Sequence, residues 1–345
     1  MESAKEVRKG EALDWDSLES YLKKAMPDLQ GRMKTAQFHG GHANLTYLVD
    51  FDGRELIVRR PPFGKIAPGA HDMKREFRVL SKLYRTYPRA PRAFHFCEDD
   101  NVIGSPFVVI ERRRGVVVRS HVLDCHTSFE NVEMRLVDAM IKAMAELHLV
   151  DYVEAGLEGL GKPVGFVERQ VKGWAKRWEL SQLEEDENMT VVIAKLKAKI
   201  PIAQRASIIH NDIKLDNCQF QESNPDEVSS IFDWDMCTLG DPLIDVGTTL
   251  SYYPNEHNKK FKSLPIQLKG DFPPKAFLLE KYEEYTGLNT ENIAWYEAFA
   301  NMKGVVVAQQ LYARYKQGAS TDPRMEAFGA AAKDLAVVAR AVISA

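Results

Sequence analysis

The sequence lacks long apolar runs and an excess of either charge. No segment of the 345 residues approaches the roughly 18 consecutive apolar residues of a membrane-spanning helix. The 46 Lys and Arg residues almost balance the 49 Asp and Glu residues, which leaves a net charge of −3. This balance gives no electrostatic reason to expect a nucleic acid or an anionic membrane as partner. The N-terminus carries acidic residues and no apolar stretch, so we expect no secretory signal.

Cysteine is also scarce, and its spacing argues against the common cysteine-based sites. The four cysteines, Cys97, Cys125, Cys218 and Cys237, lie far apart and form no C-x-x-C pair. Neither a disulfide framework nor a zinc site is supported by this spacing. We therefore expect reduced, mostly buried thiols and a cytoplasmic protein.

The apolar content is ample, and its pattern changes along the chain. Hydrophobic residues make up 45% of the sequence and charged residues 28%, as in ordinary globular proteins. The pattern is rich in strands before about residue 115 and mostly helical after it. We predict an α+β fold of two lobes, a small antiparallel β lobe at 1–114 and a larger, mainly helical lobe at 115–345. A ligand is expected in the cleft between them.

The elements of both lobes follow from periodicity and turn signals. In the first lobe, Asp52-Gly53 predicts a tight hairpin turn between two β-rich runs. Strands are predicted at 33–38, 45–49, 55–59, 93–97 and 106–111, with one amphipathic helix at 72–84 and a turn at 99–101. In the second lobe, helices are predicted at 129–150, 167–180, 241–253, 274–286, 293–315 and 325–343.

One motif in the second lobe carries most of the chemistry. A β-branched run leads into His210-Asn211-Asp212. These residues begin the pattern H-x-D-x-x-x-x-N, which ends at Asn217. A second apolar run, at 228–232, leads into Asp233. This spacing is typical of phosphoryl transfer, in which Asp212 takes the proton of an attacking hydroxyl while Asn217 and Asp233 hold Mg²⁺ on the phosphates of ATP. The structural alternative is that these residues only cap turns.

The first lobe supplies candidate nucleotide-binding residues. Arg59 ends a strand and would contact phosphates, with Glu76 on the next helix to orient it. The alternatives are a solvated strand end for Arg59 and a pair within the helix for Glu76. Gly40, Gly41 and Asn44 belong to a glycine-bearing loop whose main chain could approach phosphates, or that could simply form a hairpin turn. Glu111 belongs to the predicted hinge at 110–112, whose main chain would pair with adenine.

These motifs together resemble a known superfamily. They read GGHANLT (40–46), RRPPFG (59–64), AHDMKRE (70–76), GSPF (104–107), VERQ (167–170), DWD (233–235) and GDPL (240–243). The sequence resembles the aminoglycoside phosphotransferase/choline kinase-like superfamily, and within it the branch related to the kinase-like domain of acyl-CoA dehydrogenase fusion proteins. The resemblance implies a protein-kinase-like fold that uses MgATP to phosphorylate a small-molecule hydroxyl. Two positions depart from the family pattern, Asn211 where glycine is common and Asp235 where glutamate is common.

Several polar residues around the motif are expected to be structural. Asp245 resembles the residue that anchors the catalytic-loop backbone in kinase-like folds. His210 would hold the loop by hydrogen bonds, and Asp241 would cap a helix that begins with proline at 242. His148, at the end of a predicted core helix, is expected to be a hydrogen-bonded structural histidine.

The motifs do not identify the phosphate acceptor, and no pattern in the sequence indicates the oligomeric state. The helix at 167–180 carries a basic face interleaved with Trp174 and Trp178, namely Arg169, Lys172, Lys176 and Arg177. This face favours an anionic acceptor such as a hydroxyacyl-CoA, or it belongs to a half-buried amphipathic helix. A cationic amino alcohol, as in choline and aminoglycoside kinases, and a nucleotide-binding pseudokinase are the alternatives. A protein kinase is disfavoured because D-F-G and A-P-E motifs are missing.

Overall fold

The computed structural model describes residues 4–39, 44–64, 71–264, 268–319 and 322–345. Before residue 112 these residues form one antiparallel sheet with strand order β1-β2-β3-β5-β4. The elements of this part are α1 (Trp15–Ala25), β1 (Met33–Phe38), β2 (Leu45–Phe51), β3 (Arg54–Arg60), α2 (Met73–Leu83), β4 (Ala93–Cys97), α3 (Asp100–Ile103) and β5 (Phe107–Glu111). The predicted antiparallel sheet is confirmed.

After residue 112 the described chain is mainly helical. Its elements are β6 (Val116–Val117), α4 (Val132–Leu149), α5 (Phe166–Ser181), α6 (Glu187–Ala198), β7 (Ser207–Ile209), β8 (Cys218–Gln221), β9 (Asn224–Ile231), β10 (Thr238–Gly240), α7 (Leu243–Tyr252), α8 (Lys275–Thr286), α9 (Ile293–Lys316) and α10 (Phe328–Ser344). The short strands pair as β6-β8-β9 and as β10-β7. The α+β prediction is therefore confirmed, and the proposed boundary at 114 falls between β5 and β6.

Two local predictions are explained directly by backbone geometry. Asp52 and Gly53 have φ angles of +50° and +92°, which is the left-handed turn that joins β2 to β3. Asp72 caps α2, because its side chain accepts a hydrogen bond from the amide of Arg75 at 2.9 Å. The turn fixes the register of the central strands, and α2 then packs beneath them.

Two apolar clusters hold these elements together. The smaller one lies between α1 and the sheet and contains the fully buried Leu18 and Leu22 of α1. The larger one runs from α2 and β5 through the helices of the C-terminal part, and it includes Leu80 of α2 and Met140 of α4. Because this second cluster contains residues from both parts of the chain, it fixes the sheet on the helical part. Within the described ranges, no helix combines the length and the apolar character needed to cross a membrane.

Some boundaries differ from the predicted ones for physical reasons. Residues 99–101 do not form a bare turn, because Asp99 caps the single helical turn of α3 and Gly104 closes it at a φ of +80°. The helix predicted from 241 begins at Leu243, although the Asp241 side chain does accept from the Leu243 amide at 3.0 Å. The last helix begins at Phe328 because a 3₁₀ turn, Pro323–Ala327, precedes it.

Candidate active site

A cavity of about 290 Å³ is lined by residues of the sheet and of the C-terminal part. Every predicted site residue that the structure describes lies in its wall, namely Asn44, Arg59, Glu76, Glu111, Asp212, Asn217 and Asp233. Gly40 and Gly41 lie outside the described residues. The fold thus brings residues from both halves of the sequence to one cleft.

Arg59 is the link between the two walls of the cleft. It stands near the end of β3 with only 7% of its surface exposed, and its guanidinium forms ion pairs with Glu76 of α2 and, at 2.5 Å, with Asp233 Oδ1. Glu76 is completely buried. A solvated strand end for Arg59 is therefore wrong, and so is a pair of Glu76 within its own helix.

Burial and the neighbouring charges act in opposite directions on this buried group. Burial acts to lower the pKa of Arg59, but Glu76 and Asp233 raise it overall, so the guanidinium stays charged. Burial raises the pKa of Glu76 to about 7 against the opposing effect of Arg59. Burial also acts to raise the pKa of Asp233, yet Arg59 holds it below its usual value. Asp233 is therefore an anion at neutral pH.

The loop after β7 places Asp212 beside an amide and a cation. The side chain of Asn217 donates from Nδ2 to Asp212 Oδ2 at 2.8 Å and to its carbonyl oxygen at 2.9 Å. Lys214 Nζ lies 3.2 Å from the same Oδ2. Burial raises the pKa of Asp212 to about 6, and Lys214 opposes this shift. Asp212 is thus mostly ionised at neutral pH, with a proton affinity suited to general base chemistry.

Asp245 of α7 holds the backbone of this loop. Its two carboxylate oxygens accept from the amides of His210 at 2.7 Å and of Asn211 at 2.6 Å. The buried His148 donates to or accepts from Tyr282, and its Nε2 lies 3.1 Å from Asp245 Oδ2. These contacts confirm the structural roles predicted for Asp245 and His148.

Asn211 can replace glycine here because its backbone conformation is tolerated by asparagine. Its φ is +72°, in the left-handed region. Its side chain donates from Nδ2 to the carbonyl oxygen of Met236 at 2.9 Å. His210 Nε2 lies 2.8 Å from the carbonyl oxygen of Phe232, which joins the loop to the segment that carries Asp233. The loop therefore accommodates Asn211 at this position.

Asn44 enters the cleft next to both carboxylates of the D-W-D motif. Its Nδ2 lies 3.3 Å from Asp233 Oδ1 and 3.3 Å from Asp235 Oδ2, and its Oδ1 lies 2.8 Å from His71 Nδ1. Burial and the neighbouring Asp233 raise the pKa of Asp235. The amide of Asn44 is thus a donor placed between two acidic groups.

The oxygen donors of the cleft fit a hard divalent cation that also binds phosphate. Asn217 uses its Nδ2 for Asp212, which leaves its Oδ1 as an acceptor, and Asp233 offers an anionic carboxylate in the same cavity. Among the described residues, no cluster of three or more His, Cys, Asp or Glu side chains is arranged to hold a metal ion. The protein would supply only part of a coordination shell. This suits Mg²⁺, which keeps waters and takes phosphate oxygens.

The prediction for Glu111 needs a correction. Its amide already donates to the carbonyl oxygen of Arg92 at 2.8 Å, and its Oε2 accepts from the Arg92 amide at 3.0 Å. Its side chain also pairs with Arg113. The residue lines the cleft, but its N–H is committed to Arg92, just before β4, and is not available for a nucleobase. The contact of adenine with the rest of the main chain at 110–112 stays a prediction.

The basic side chains predicted to form one face of α5 have different surroundings in the structure. Lys172 and Lys176 are exposed and pair with Glu168 and Glu179 on their own helix. Arg177 instead stacks on Trp174, with its guanidinium carbon 4.5 Å from the ring centroid. The four-residue basic face expected from the sequence is therefore divided, and only Arg177 lies over an aromatic ring.

Sequence reasoning missed two lysines. Lys214 lies inside the quoted motif, two residues after Asp212, so its spacing was a usable signal. Lys303 of α9 has Nζ 5.8 Å from the Trp174 ring centroid. Burial lowers the pKa of Lys303, and the carboxylates of Asp245 and Asp212 oppose that effect. No local pattern marks Lys303, because only helix packing brings it there.

The sequence matches a family model and several relatives. Residues 34–270 match the family model described as "Phosphotransferase enzyme family". Mouse acyl-CoA dehydrogenase family member 10 is 30% identical over 349 residues, covering 96% of this chain and 31% of that protein. Chicken acyl-CoA dehydrogenase family member 11 is 27% identical over 342 residues, covering 96% of this chain and 44% of that protein. The chain thus spans less than half the length of these relatives.

Solved structures share the same architecture. A protein from Ralstonia eutropha JMP134, described as a "putative aminoglycoside phosphotransferase", superposes with a TM-score of 0.80 at 25% identity over 96% of this chain and 99% of its own. Aminoglycoside 2'-phosphotransferase-IIIa in complex with GDP has a TM-score of 0.61 at 14% identity, over 94% of this chain and 99% of its own. At that identity the second likeness concerns the fold alone.

Proposed function

The chain belongs to the phosphotransferase enzyme family, and on this basis we propose that it transfers the γ-phosphoryl group of ATP to the hydroxyl of a small molecule. The observation that carries the proposal is the meeting of Asp212, Asn217 and Asp233 with the buried Arg59–Glu76 pair in one cavity. Phosphoryl transfer requires positioning and charge stabilisation, and these groups supply both.

In the proposed reaction each of these residues has a distinct role. Arg59 binds phosphate oxygens with its planar guanidinium, and Glu76 keeps that group oriented from α2. Asn217 and Asp233 would hold Mg²⁺, which neutralises charge on the phosphates when it is bound. Asp212 accepts the proton of the acceptor hydroxyl as that oxygen forms its bond to the γ-phosphorus, while the bond from the γ-phosphorus to the β,γ-bridging oxygen breaks and ADP leaves. Lys214 keeps the Asp212 carboxylate ionised until then.

For the acceptor we propose an anionic alcohol, with a hydroxyacyl-CoA as the specific candidate. Three cations support this class: Lys214 lines the cleft 3.2 Å from Asp212, and Arg177 and Lys303 both lie over the ring of Trp174. Such cations attract phosphate-rich ligands and repel choline or an aminoglycoside. The relatives named as acyl-CoA dehydrogenase family members support the same class. We also propose a cytosolic location, since all four cysteines are free thiols.

The test is transfer from radiolabelled MgATP to a panel of acceptors that includes hydroxyacyl-CoAs, choline and an aminoglycoside, at low and high salt. We expect phosphorylation of the hydroxyacyl-CoA, with a KM that rises with salt. Lys303→Gln should raise that KM about tenfold. Lys172→Gln is the matched control, because Lys172 is exposed and paired with Glu168, and its KM should stay within twofold.

Each alternative has its own outcome in this experiment. A preference for the cationic amino alcohols would contradict the anionic acceptor and leave the kinase assignment standing. Nucleotide binding with no transfer to any acceptor would favour the pseudokinase. Equal transfer in excess chelator would contradict the Mg²⁺-dependent reaction itself.

A further inference from the structure

Gln219 is a polar side chain in the wall of the cleft that the proposed reaction does not use. It stands on β8 between Cys218 and Phe220, which are both fully buried in the large apolar cluster. The pairing of β8 with β9 is irregular on both sides of Phe220, so regular alternation does not fix the direction of Gln219. Gln219 itself lines the cavity.

The amide of Gln219 is buried and not fully hydrogen-bonded. Only 3% of the residue is exposed, and its Oε1 has no hydrogen-bond partner among the described residues. A buried acceptor without a partner destabilises a protein, whereas an apolar side chain of the same shape would not. The amide is thus placed where a bound ligand can satisfy it.

The chain connecting the two parts makes room for this side chain. Gly115 has a φ of +155°, and a Cβ there would lie 2.4 Å from the carbonyl oxygen of Phe220 and 2.6 Å from Cγ of Gln219. Both distances are too short for non-bonded atoms. Glycine at 115 is therefore required for Gln219 to occupy its position beside the cavity.

The surroundings of Gln219 identify the part of a ligand that would reach it. The same cavity is lined by the apolar Ile57, Ile110 and Phe232, by Arg59 and Asp233, and by three arginines of the segment 112–119. Apolar walls, one unsatisfied amide and several cations suit a nucleotide, whose base and ribose carry neutral donors and whose phosphates are anionic.

We propose that the Gln219 amide accepts a hydrogen bond from the nucleotide and so contributes to nucleotide selection, an inference that rests on the proposed function. The donor is an amino group of the base or a hydroxyl of the ribose. The amino group and the hydroxyl are both neutral hydrogen-bond donors, and either could donate to Oε1 of Gln219. The bond is made in the nucleotide complex alone, so it acts on nucleotide affinity.

The test measures the dissociation constant of MgATP by calorimetry, without an acceptor, for the wild type and Gln219→Met. We expect about 5- to 10-fold weaker binding in the variant, which is the loss of one neutral hydrogen bond. The unfolding temperature of the nucleotide-free variant should not fall, since methionine leaves no buried amide behind. Unchanged affinity in a folded variant would overturn the proposal.

Ser230→Ala is the matched control. Ser230 lies directly opposite Gln219 on β9, and its Oγ is likewise buried without a partner among the described residues, but it does not line the cavity. The affinity of Ser230→Ala for MgATP should stay within twofold of that of the wild type. A loss as large as that of Gln219→Met would assign the effect to the sheet and overturn a direct bond.

Nucleotide analogues identify the donor and need no variant. Purine riboside triphosphate lacks the 6-amino group, and 2'-deoxy-ATP and 3'-deoxy-ATP each lack one hydroxyl. The analogue without the donor should bind the wild type as weakly as ATP binds Gln219→Met. If all three bind the wild type as tightly as ATP, the proposal is wrong. A wild type that binds neither ATP nor GTP would instead refute the proposed function.

Discussion

The proton affinity of Asp212 is set by two opposing influences. Burial raises its pKa to about 6, and Lys214, 3.2 Å away, acts to lower it. A carboxylate can accept a proton only when it is ionised. The reaction should therefore slow as the pH falls through 6, and Lys214 should decide where that fall begins.

This balance predicts a pH profile. In the wild type, kcat/KM should fall about tenfold per pH unit below 6 and should level off above about 7. Lys214→Met removes the cation that lowers the pKa of Asp212, so the acidic limb should move to higher pH. The profile is measured with saturating MgATP, and Lys172→Met, a change on the exposed face of α5, serves as control. An acidic limb that stays in place would contradict this role of Lys214.

Removing the base gives a second prediction. Asp212→Asn keeps the shape of the side chain but cannot take a proton, so turnover should fall on the order of 10²–10⁴-fold. MgATP affinity should be largely kept, because Asp212 is assigned to the acceptor and not to the nucleotide. Rapid-quench transfer assays and calorimetry separate the two effects. Near-normal phosphorylation would refute the assignment.

The Arg59 contacts give a third prediction. Arg59 reaches Glu76 with one guanidinium nitrogen and Asp233 with another. Lys at this position would keep the charge but could not hold both carboxylates in that geometry. Arg59→Lys should therefore lower the free energy of unfolding by about 1–3 kcal/mol, the cost of a buried group left without its partner. Urea denaturation measures this, and an unchanged value would show that the bridge contributes nothing to stability.

For single residues, the sequence predicted which side chains line the cleft better than it predicted the contacts between them. Arg59 and Glu76 were recognisable because strand and helix positions could be counted. The direct Arg59–Asp233 pair joins residues 174 positions apart, and no local pattern encodes it. The committed N–H of Glu111 was missed for the same reason, since its partner, Arg92, lies 19 positions earlier in the sequence.

Among the elements, α7 holds the catalytic loop through side-chain hydrogen bonds to its backbone. Asp245 stands in its first turn and accepts both loop amides, of His210 and of Asn211. Thr249, one turn later, donates from its hydroxyl to the carbonyl oxygen of Ile213 at 2.7 Å. The helix thus holds the loop at two levels, and the position of Asp212 depends on it.

This arrangement predicts a coupled loss of stability and activity. Asp245→Asn removes the charge that both amides and His148 contact, so the free energy of unfolding should fall by about 2–3 kcal/mol. Turnover should fall more than MgATP affinity, because the displaced group is the base. Ser251→Ala, on the same helix, loses only a local bond to the Thr248 carbonyl oxygen and should be nearly neutral. Equal behaviour of the two variants would contradict the anchoring role.

The elements that sequence reasoning missed fall into two kinds. α1 had a usable signal, since Asp14 caps it and Leu18 and Leu22 are buried one turn apart. The strand β10 had none, because it is three residues long and forms only by pairing with β7, about 30 positions earlier. Strand propensity depends on such partners, so short strands are seen only when the fold is assembled.

In the whole molecule, both parts of the chain line the cleft, so the cleft exists only in the folded protein. Ligand binding and folding are therefore thermodynamically linked. A ligand that binds only the folded state stabilises it by about 2.7 kcal/mol at one hundred times its dissociation constant. The α+β class and the family were predictable because the motifs are local. The cavity was not, because its walls come from packing between distant segments.

This linkage predicts the thermal behaviour. MgATP at such a concentration should raise the unfolding temperature by several degrees, and ATP with excess chelator should raise it less, because the Mg²⁺ bridge to Asp233 and Asn217 is lost. Asp233→Ala should remove the difference between the two conditions and abolish Mg²⁺-dependent turnover. Scanning fluorimetry is sufficient, and a wild type indifferent to Mg²⁺ would contradict the metal assignment.

Trp234 gives the molecule a built-in optical probe. The indole is fully buried beside Asp233, donates to the Ile231 carbonyl oxygen at 2.8 Å, and lies edge-on to the His210 ring with 4.7 Å between centroids. Indole emission depends on the local electric field and on nearby quenchers, and a polyphosphate entering the cleft changes both. A chain in which Trp15, Trp174, Trp178 and Trp295 are phenylalanine would report occupancy by Trp234 emission alone, so that binding could be followed in milliseconds without a label.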